Sequence, residues 1–364
     1  MAEGLWQRLR RLFGGSAGAP SATTPRSPSA APEKAGAAPA RAAPEGSTSG
    51  PQAKAPGSAK AQKPWQPAKP DFADAERARI LACSEDEVQA LAATITSTLL
   101  ASLDKIPPFP VIASRLVQTL ESRDVRADAI ERLITQDAVI AARILSTANS
   151  SFYSPPSTIE TLPHAIRTIG LQEVGRIALS VASAAVFDVD ERIAHESVAR
   201  PQRLAWAHSL ATARGAAWLA LHLNQDVQRA YVAGLLHDIG KPVALRGLGL
   251  ALTGGRLPAQ PLPAVVHAAV EACHVDVASM VADAWKLAPH LAAVVTEHHA
   301  SSATDPLVQI VTLVSAVDEL RTNPAHRAQL LEQVQELARG LQVTPGQLSE
   351  LDFELKKAAS LAAG

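Results

Sequence analysis

Residues 231–241 read Tyr231-Val232-Ala233-Gly234-Leu235-Leu236-His237-Asp238-Ile239-Gly240-Lys241, and the rest of the chain is organised around them. The stretch predicts the last three turns of a helix. Asp226 stands where a capping side chain opens that helix, and Gly240 followed by Pro242 is a stop signal. At roughly 3.6 residues per turn, Val227, Tyr231, Gly234 and Asp238 share a face, while Ala230, Ala233 and His237 line the adjoining one. No side chain from Tyr231 to Leu236 is charged, so the helix is expected to be buried nearly all round. His237 and Asp238 then arrive side by side in a core. A lone buried carboxylate is very costly, so Asp238 needs a hydrogen-bonded partner or a cation. A satisfied His–Asp pair at a helix end is the plainer alternative.

The chain has 364 residues and a formal net charge of −1, which conceals an asymmetry. Residues 1–70 contain 11 of the 26 prolines and ten Lys/Arg against three Asp/Glu, or +7, leaving −8 for the remainder. The first 70 residues cannot bury enough apolar surface to offset chain entropy, so they are expected to be a disordered basic Pro/Ala-rich tail. Within it, residues 3–13 place Leu5, Leu9 and Leu12 on one face beside Trp6 and Phe13, with Arg8, Arg10 and Arg11 elsewhere. Such a short amphipathic helix suits weak contact with anionic lipid or a partner groove, against which stands the reading as a frayed terminus. The acidic body, and a tail lacking interleaved aromatics, argue against nucleic acid as the partner. Cys83 and Cys273 form neither a disulfide framework nor a C-x-x-C pair, which fits a reducing cytoplasm. No apolar stretch of signal-peptide type follows the basic start, and the longest strongly apolar uncharged run, Ile177–Phe187, is too short to span a bilayer. A soluble cytoplasmic protein is expected.

From about residue 72 the pattern is helical throughout. Helices are predicted near 73–82, 85–102, 110–122, 126–134, 137–148, 162–169 and 171–186, with Asp137 capping a segment whose Ile140, Ile144, Leu145 and Ala148 face inward. No alternating runs bounded by hairpin turns occur, so the fold class is all-α. Further helical stretches at 325–341 and 344–361 follow, the second opened by Thr344-Pro345 and carrying Leu348, Leu351, Leu355 and Ala358 on one stripe. Packing back onto the body and a dimer contact are both open to them.

The order of several motifs resembles the HDOD family of bacterial signalling modules. They are Ile106-Pro107-Pro108-Phe109-Pro110, Gln136-Asp137-Ala138, Ala148-Asn149-Ser150-Ser151-Phe152-Tyr153, Ala165-Ile166 with Ile169-Gly170, Trp206-Ala207-His208-Ser209, Gly234 to Lys241, Trp285 with Pro289, and His298-His299. The resemblance covers roughly 103–320. It implies a two-lobed helical domain over 103–322, with a helical lobe at 103–190 and an HD-like lobe at 200–322. Lead-in helices at 71–102 precede it and a C-terminal helical extension at 323–364 follows. The second lobe is related to the HD-domain metal-dependent phosphohydrolases and the HD-GYP cyclic-di-GMP phosphodiesterases, whereas HDOD members are mostly regulatory modules that have lost catalytic residues.

Nine of the 11 histidines lie between 195 and 299. His208 is read near the start of a helix whose inner stripe runs through Thr212, Gly215 and Leu219. His274 shares a face with Ala278, Val281 and Trp285, and His298 follows Leu291 and Val294. Leu307, Val311, Val314 and Asp318 form one apolar stripe in a helix opened by Thr304-Asp305-Pro306, so a second acid faces a core. Imidazole and carboxylate are the ligands that a dinuclear Fe, Mn or Zn site uses. By resemblance, His208, His237, Asp238 and Asp318 match the one-metal set of the HD superfamily, and His274, His298 and His299 match the second-metal positions of HD-GYP proteins. Asp238 and Lys241 are the candidate catalytic residues, Lys241 matching a lysine that could meet a substrate phosphate. Two departures stand out: Leu204 where some HD-GYP enzymes place an extra glutamate ligand, and Ala300-Ser301-Ser302-Ala303-Thr304 in place of a Gly-Tyr-Pro loop. The second weakens the case for a cyclic dinucleotide. His195, His222, His267 and His290 are read as hydrogen-bonded core residues, and Glu271, Glu297, Cys273 and Trp285 as local structure.

Two functions compete. One is a regulatory, non-catalytic module that binds a partner protein or a signalling ligand such as a nucleotide. The other is a metal-dependent phosphohydrolase in which metals lower the pKa of a bound water that attacks a phosphoester.

Overall fold

In the computed structural model the described residues are Trp65, 74–122, 124–150, 153, 155, 157–187, 196–257, 260–300, 303–322 and 327–362. The amphipathic segment expected at 3–13 lies outside them. The described residues form fifteen α-helices, a short 3₁₀ turn at Leu103–Lys105 and no strand. Helices α1 (Asp74–Leu81) and α2 (Glu85–Leu100) come first. The first lobe follows, with α3 (Val111–Leu120), α4 (Ala127–Ile134), α5 (Ala138–Ala148), α6 (Leu162–Ile169) and α7 (Leu171–Phe187). The second comprises α8 (Glu196–His222), α9 (Val227–Leu236), α10 (Gly240–Thr253), α11 (Pro263–Trp285), α12 (Pro289–Glu297) and α13 (Pro306–Thr322), and α14 (Arg327–Gly340) and α15 (Pro345–Ala362) end the chain.

The caps are those the sequence predicts. Asp137 accepts from the backbone N–H groups of Val139 and Ile140, and Asp226 from those of Gln228 and Arg229, each satisfying donors that the first helical turn leaves free. Thr344 and Gln347 exchange reciprocal bonds at the start of α15, an arrangement that supplies both ends of the first turn. Four sequence expectations shift. Gly240-Pro242 does not carry the chain away from a helix end: α9 stops at Leu236 and α10 starts at Gly240, with Pro242 in its first turn, where a missing N–H costs nothing. His208 lies in the middle of α8, which begins at Glu196 and runs through Pro201. Trp65, assigned by composition to the tail, packs against the hydrophobic core. Finally, α11 is long and apolar enough to cross a membrane by length and composition, although Glu271, Asp276 and Asp283 interrupt its apolar run. It is a packed helix here, with Val266, Ala269, Val270, Val277, Ala278 and Val281 buried.

In the first lobe α7 is central, with α3, α4, α5 and α6 against it. In the second, α8 is central and takes α9, α13 and α15, while α10 and α11 pack on each other and on α2. The nominal lead-in helix α2 is therefore part of the second lobe, Leu99 sitting over Gly247 of α10. The C-terminal helices pack back as well: Leu351 and Leu355 of α15 close over Gly215 of α8, and α14 lies on α13. Small residues set the spacing. Gly234 of α9 approaches Ala213 of α8 so closely that a β-carbon there would stand 2.8 Å from the Ala213 Cα. The alanine-rich, aromatic-poor composition has this consequence.

Polar contacts join the lobes. Glu173 of α7 accepts from the Tyr153 hydroxyl at 2.9 Å and from Arg214 of α8 at 2.8 Å, and Arg176 of α7 reaches Gln228 of α9. Trp285 stacks on Phe109 and donates to the Pro107 carbonyl at 2.9 Å, so Trp285 and the Pro-rich motif form one lobe contact. Truncating Glu173 leaves the largely buried Arg214 guanidinium without its carboxylate. We expect Glu173→Ala to cost about 2 kcal/mol, read as a lowered denaturation midpoint with an unchanged slope in urea. An unchanged midpoint would mean that the network carries no lobe-joining energy.

Candidate metal centre

The junction between α9 and α10 is one tight turn in which the Ile239 N–H donates to the Leu236 carbonyl and the Lys241 N–H to the Asp238 carbonyl. It buries His237 and Asp238 completely or nearly so, at 0 % and 1 % exposed. Gly240 makes the junction possible: a β-carbon there would lie 1.8 Å from the carbonyl oxygen of His274 on α11. Around this turn, α8 supplies His208, α11 supplies Glu271 and His274, the end of α12 supplies His298 and His299, and α13 supplies Ser315, Asp318 and Glu319. Residues 208 to 318 thus meet at one place, as the sequence reading requires.

Four histidines are oriented from behind. The Nδ1 atoms of His237, His274 and His298 lie 2.9, 2.9 and 3.1 Å from the backbone carbonyls of Gly234, Glu271 and Val294. His208 Nδ1 lies 2.7 Å from Asp318 Oδ2. Carbonyls and carboxylates only accept, so each Nδ1 carries a proton and each ring turns its Nε2 inward. Those nitrogens converge. His237 Nε2 is 3.2 Å from His208 Nε2, His274 Nε2 is 3.0 Å from His299 Nε2, and His298 Nε2 is 3.1 Å from Asp238 Oδ1. Burial, with His208 and His298 nearby, holds His237 well below the ordinary histidine value, and burial with Lys241 nearby lowers His274. Burial acts to raise the Asp238 carboxyl, but Lys241, His237 and His298 outweigh it and hold the group well below the carboxylate range. Several imidazole nitrogens and one buried, ionised carboxylate thus converge, and imidazole with carboxylate is the ligand chemistry of transition metals. The donor set therefore fits a transition metal, with outer hydrogen bonds of the kind that orient metal-bound histidines.

The donors fall into two groups. Asp238, His274, His298 and His299 bring ligand atoms within 4.8 Å of one another, and so do His208, His237 and Asp238. Asp238 is shared, with Oδ1 facing His298 and His274, and Oδ2 facing His237 at 3.5 Å and His208 at 3.6 Å. Asp318 belongs to neither group. Its oxygens are engaged by His208 Nδ1 and by Arg321, which puts it behind a candidate ligand. Lys241 does not point at open space either: its Nζ is 2.8 Å from Asp238 Oδ2, 3.1 Å from Glu271 and 3.7 Å from Glu319.

Sequence reading missed Glu271, Ser315, Glu319 and Arg321. Glu271 was assigned to local structure, yet it binds Lys241 and lies one turn before His274. Signals existed: Thr312, Ser315 and Glu319 repeat at helical spacing inside α13, which is buried almost all round. Of the histidines read as core, His290 does bond Glu121 at 2.9 Å across the lobes. His222 is exposed and, among the described residues, bonds the Trp218 carbonyl, because its face of α8 meets solvent. His267 has a buried Nε2 without a hydrogen-bond partner among the described residues, and His195 lies outside them. Thr304 and Asp305 do open α13, Asp305 accepting from the Leu307 N–H at 2.7 Å.

The fold and this cluster define a helical protein with a His/Asp centre of the type that holds metal. The chain matches the HDOD domain profile over residues 106–301, more than half its length, and it belongs to the HDOD domain family. It is similar to the crystal structure of a candidate metal-dependent phosphohydrolase from Shewanella amazonensis SB2B, with a TM-score of 0.56 and 23% identity over 77% of this chain and 100% of that one. It is also similar to an HDOD domain protein of unknown function from Geobacter sulfurreducens, with a TM-score of 0.55 and 23% identity over 76% of this chain and 98% of that one. These likenesses show the fold. Asp318 and Glu319 lie beyond the matched segment.

Proposed function

We propose that this chain is a cytoplasmic signalling module that holds a divalent transition metal (Fe, Mn or Zn) on its His/Asp cluster and acts by binding a regulatory protein partner or a signalling ligand. The observation that carries the metal is the convergence of histidine Nε2 atoms on both oxygens of the buried Asp238. Binding is preferred to turnover for two reasons. The cavity beside His298 and His299, walled by Ser315, Glu319 and Gln333, has a volume of about 10 Å³, room for one water. Lys241, the cation expected to meet a phosphate, is already matched by three carboxylates. A metal-dependent phosphohydrolase is the second reading, favoured by two ligand groups that share one carboxylate, a layout suited to two adjacent ions. A metal bound there would supply Lewis acidity and an activated water. In that reading Asp238 is the ligand common to both groups, Asp318 fixes the His208 ring, and Lys241 neutralises Asp238.

Elemental analysis of protein purified without chelator tests both. We expect stoichiometric transition metal, and no hydrolysis across a panel of phosphomonoesters, nucleotides and cyclic dinucleotides. Less than about a tenth of an equivalent, allowing for losses on purification, would sink the metal-binding reading. Phosphoester turnover abolished by Asp238→Ala would replace the binding reading with the enzymatic one.

A further inference from the structure

We propose that the centre holds a single divalent ion, on Asp238, His274, His298 and His299, and that the Lys241 ammonium stands where a second ion would bind in the His208–His237 half. This rests on the metal-binding reading above and says how many ions bind, and where. The two oxygens of Asp238 have unlike neighbours. Oδ1 faces imidazoles, His298 at 3.1 Å and His274 at 3.6 Å. Oδ2, the oxygen that the His208–His237 half needs, has Lys241 Nζ at 2.8 Å, nearer than either of those two rings.

Lys241 is held there from three sides. It sits in the first turn of α10, 8 % exposed, with Glu271 of α11 at 3.1 Å and Glu319 of α13 at 3.7 Å. To make room for an ion on Asp238 Oδ2 it would have to leave Asp238, its nearest carboxylate. The His208 half also satisfies itself in other ways. His208 bonds Asp318 at 2.7 Å, and its Nε2 lies 3.2 Å from the Ser315 hydroxyl, which can donate to it.

The test is a titration of metal-stripped full-length protein with Co²⁺, in which bound cobalt is counted after gel filtration and its visible d–d absorption recorded. The wild type is expected to retain one equivalent, and Lys241→Met two. A folded Lys241→Met protein that retains one, or a wild type that retains two, would overturn the inference while leaving the metal-binding reading intact. Because Lys241→Met strands Glu271 and Glu319 and can unfold the chain, the location is tested separately in the lysine background. There His208→Ala should keep its cobalt and spectrum, and His274→Ala should lose both. The reverse pattern, or loss in both variants, refutes the assignment to the His274 half. No cobalt in any of the proteins would overturn this inference and the metal-binding reading together.

Discussion

Gly240→Ala is expected to destabilise the protein by more than about 3 kcal/mol. The added carbon would stand 1.8 Å from the His274 carbonyl oxygen and 2.8 Å from the carbonyl carbon. Both atoms are backbone within α11, so no rotamer change relieves the clash, and α10 must move off α11. That movement also parts Asp238 and Lys241 from His274 and Glu271, so metal should be lost with stability. Thermal melts followed by far-UV circular dichroism would read the effect as a drop on the order of 10 °C. Gly346→Ala is the matched control. Its β-carbon would meet only Thr344 Oγ1, at 3.8 Å, near the start of α15, so stability should hold or rise by roughly 0.5 kcal/mol. A Gly240→Ala melt like that of the control would mean that α10 and α11 do not approach as closely as described.

Asp238→Ala should abolish metal retention, because it removes the one donor common to both groups. The variant should bring less than about a tenth of an equivalent of metal through purification. A second readout does not depend on purification. A metal that binds only the folded state stabilises it by about 2.7 kcal/mol at a hundredfold excess over Kd, so added metal should raise the wild-type melting temperature and leave that of Asp238→Ala unmoved. Lys241 retains Glu271 and Glu319 in the variant, so the chain should still fold. His222→Ala, at an exposed histidine whose Nδ1 meets the Trp218 carbonyl, should behave as wild type in both assays. A metal-induced rise in melting temperature that survives Asp238→Ala would place the ion elsewhere.

Much of this centre was legible before the coordinates. Helical spacing put Asp238 and Asp318 on buried faces, and both are 1 % exposed. The motif resemblance brought His208, His237, His274, His298 and His299 together. What was not legible is which atoms engage which. Asp318 reads identically from sequence whether its carboxylate meets an ion or the back of His208, since the choice depends on a displacement of α13 along α8 that leaves every helical face unchanged. The role of Lys241 was equally hidden. Its two other partners, Glu271 and Glu319, come from helices 30 and 78 positions further on, and no local pattern says that either acid meets this lysine.

The sequence by itself determined the helices, their caps and the burial of an His–Asp pair, because these follow from short-range periodicity and from the cost of a charge in an apolar setting. It also carried the family, through motifs in a fixed order. Only the tertiary structure decided that the Gly240-Pro242 signal begins a helix, that α2 belongs to the second lobe, and that Asp238 turns one oxygen to histidines and the other to a lysine. Those outcomes depend on contacts between residues far apart in the chain, whose distances are set by how closely backbones can approach at positions such as Gly234 and Gly240.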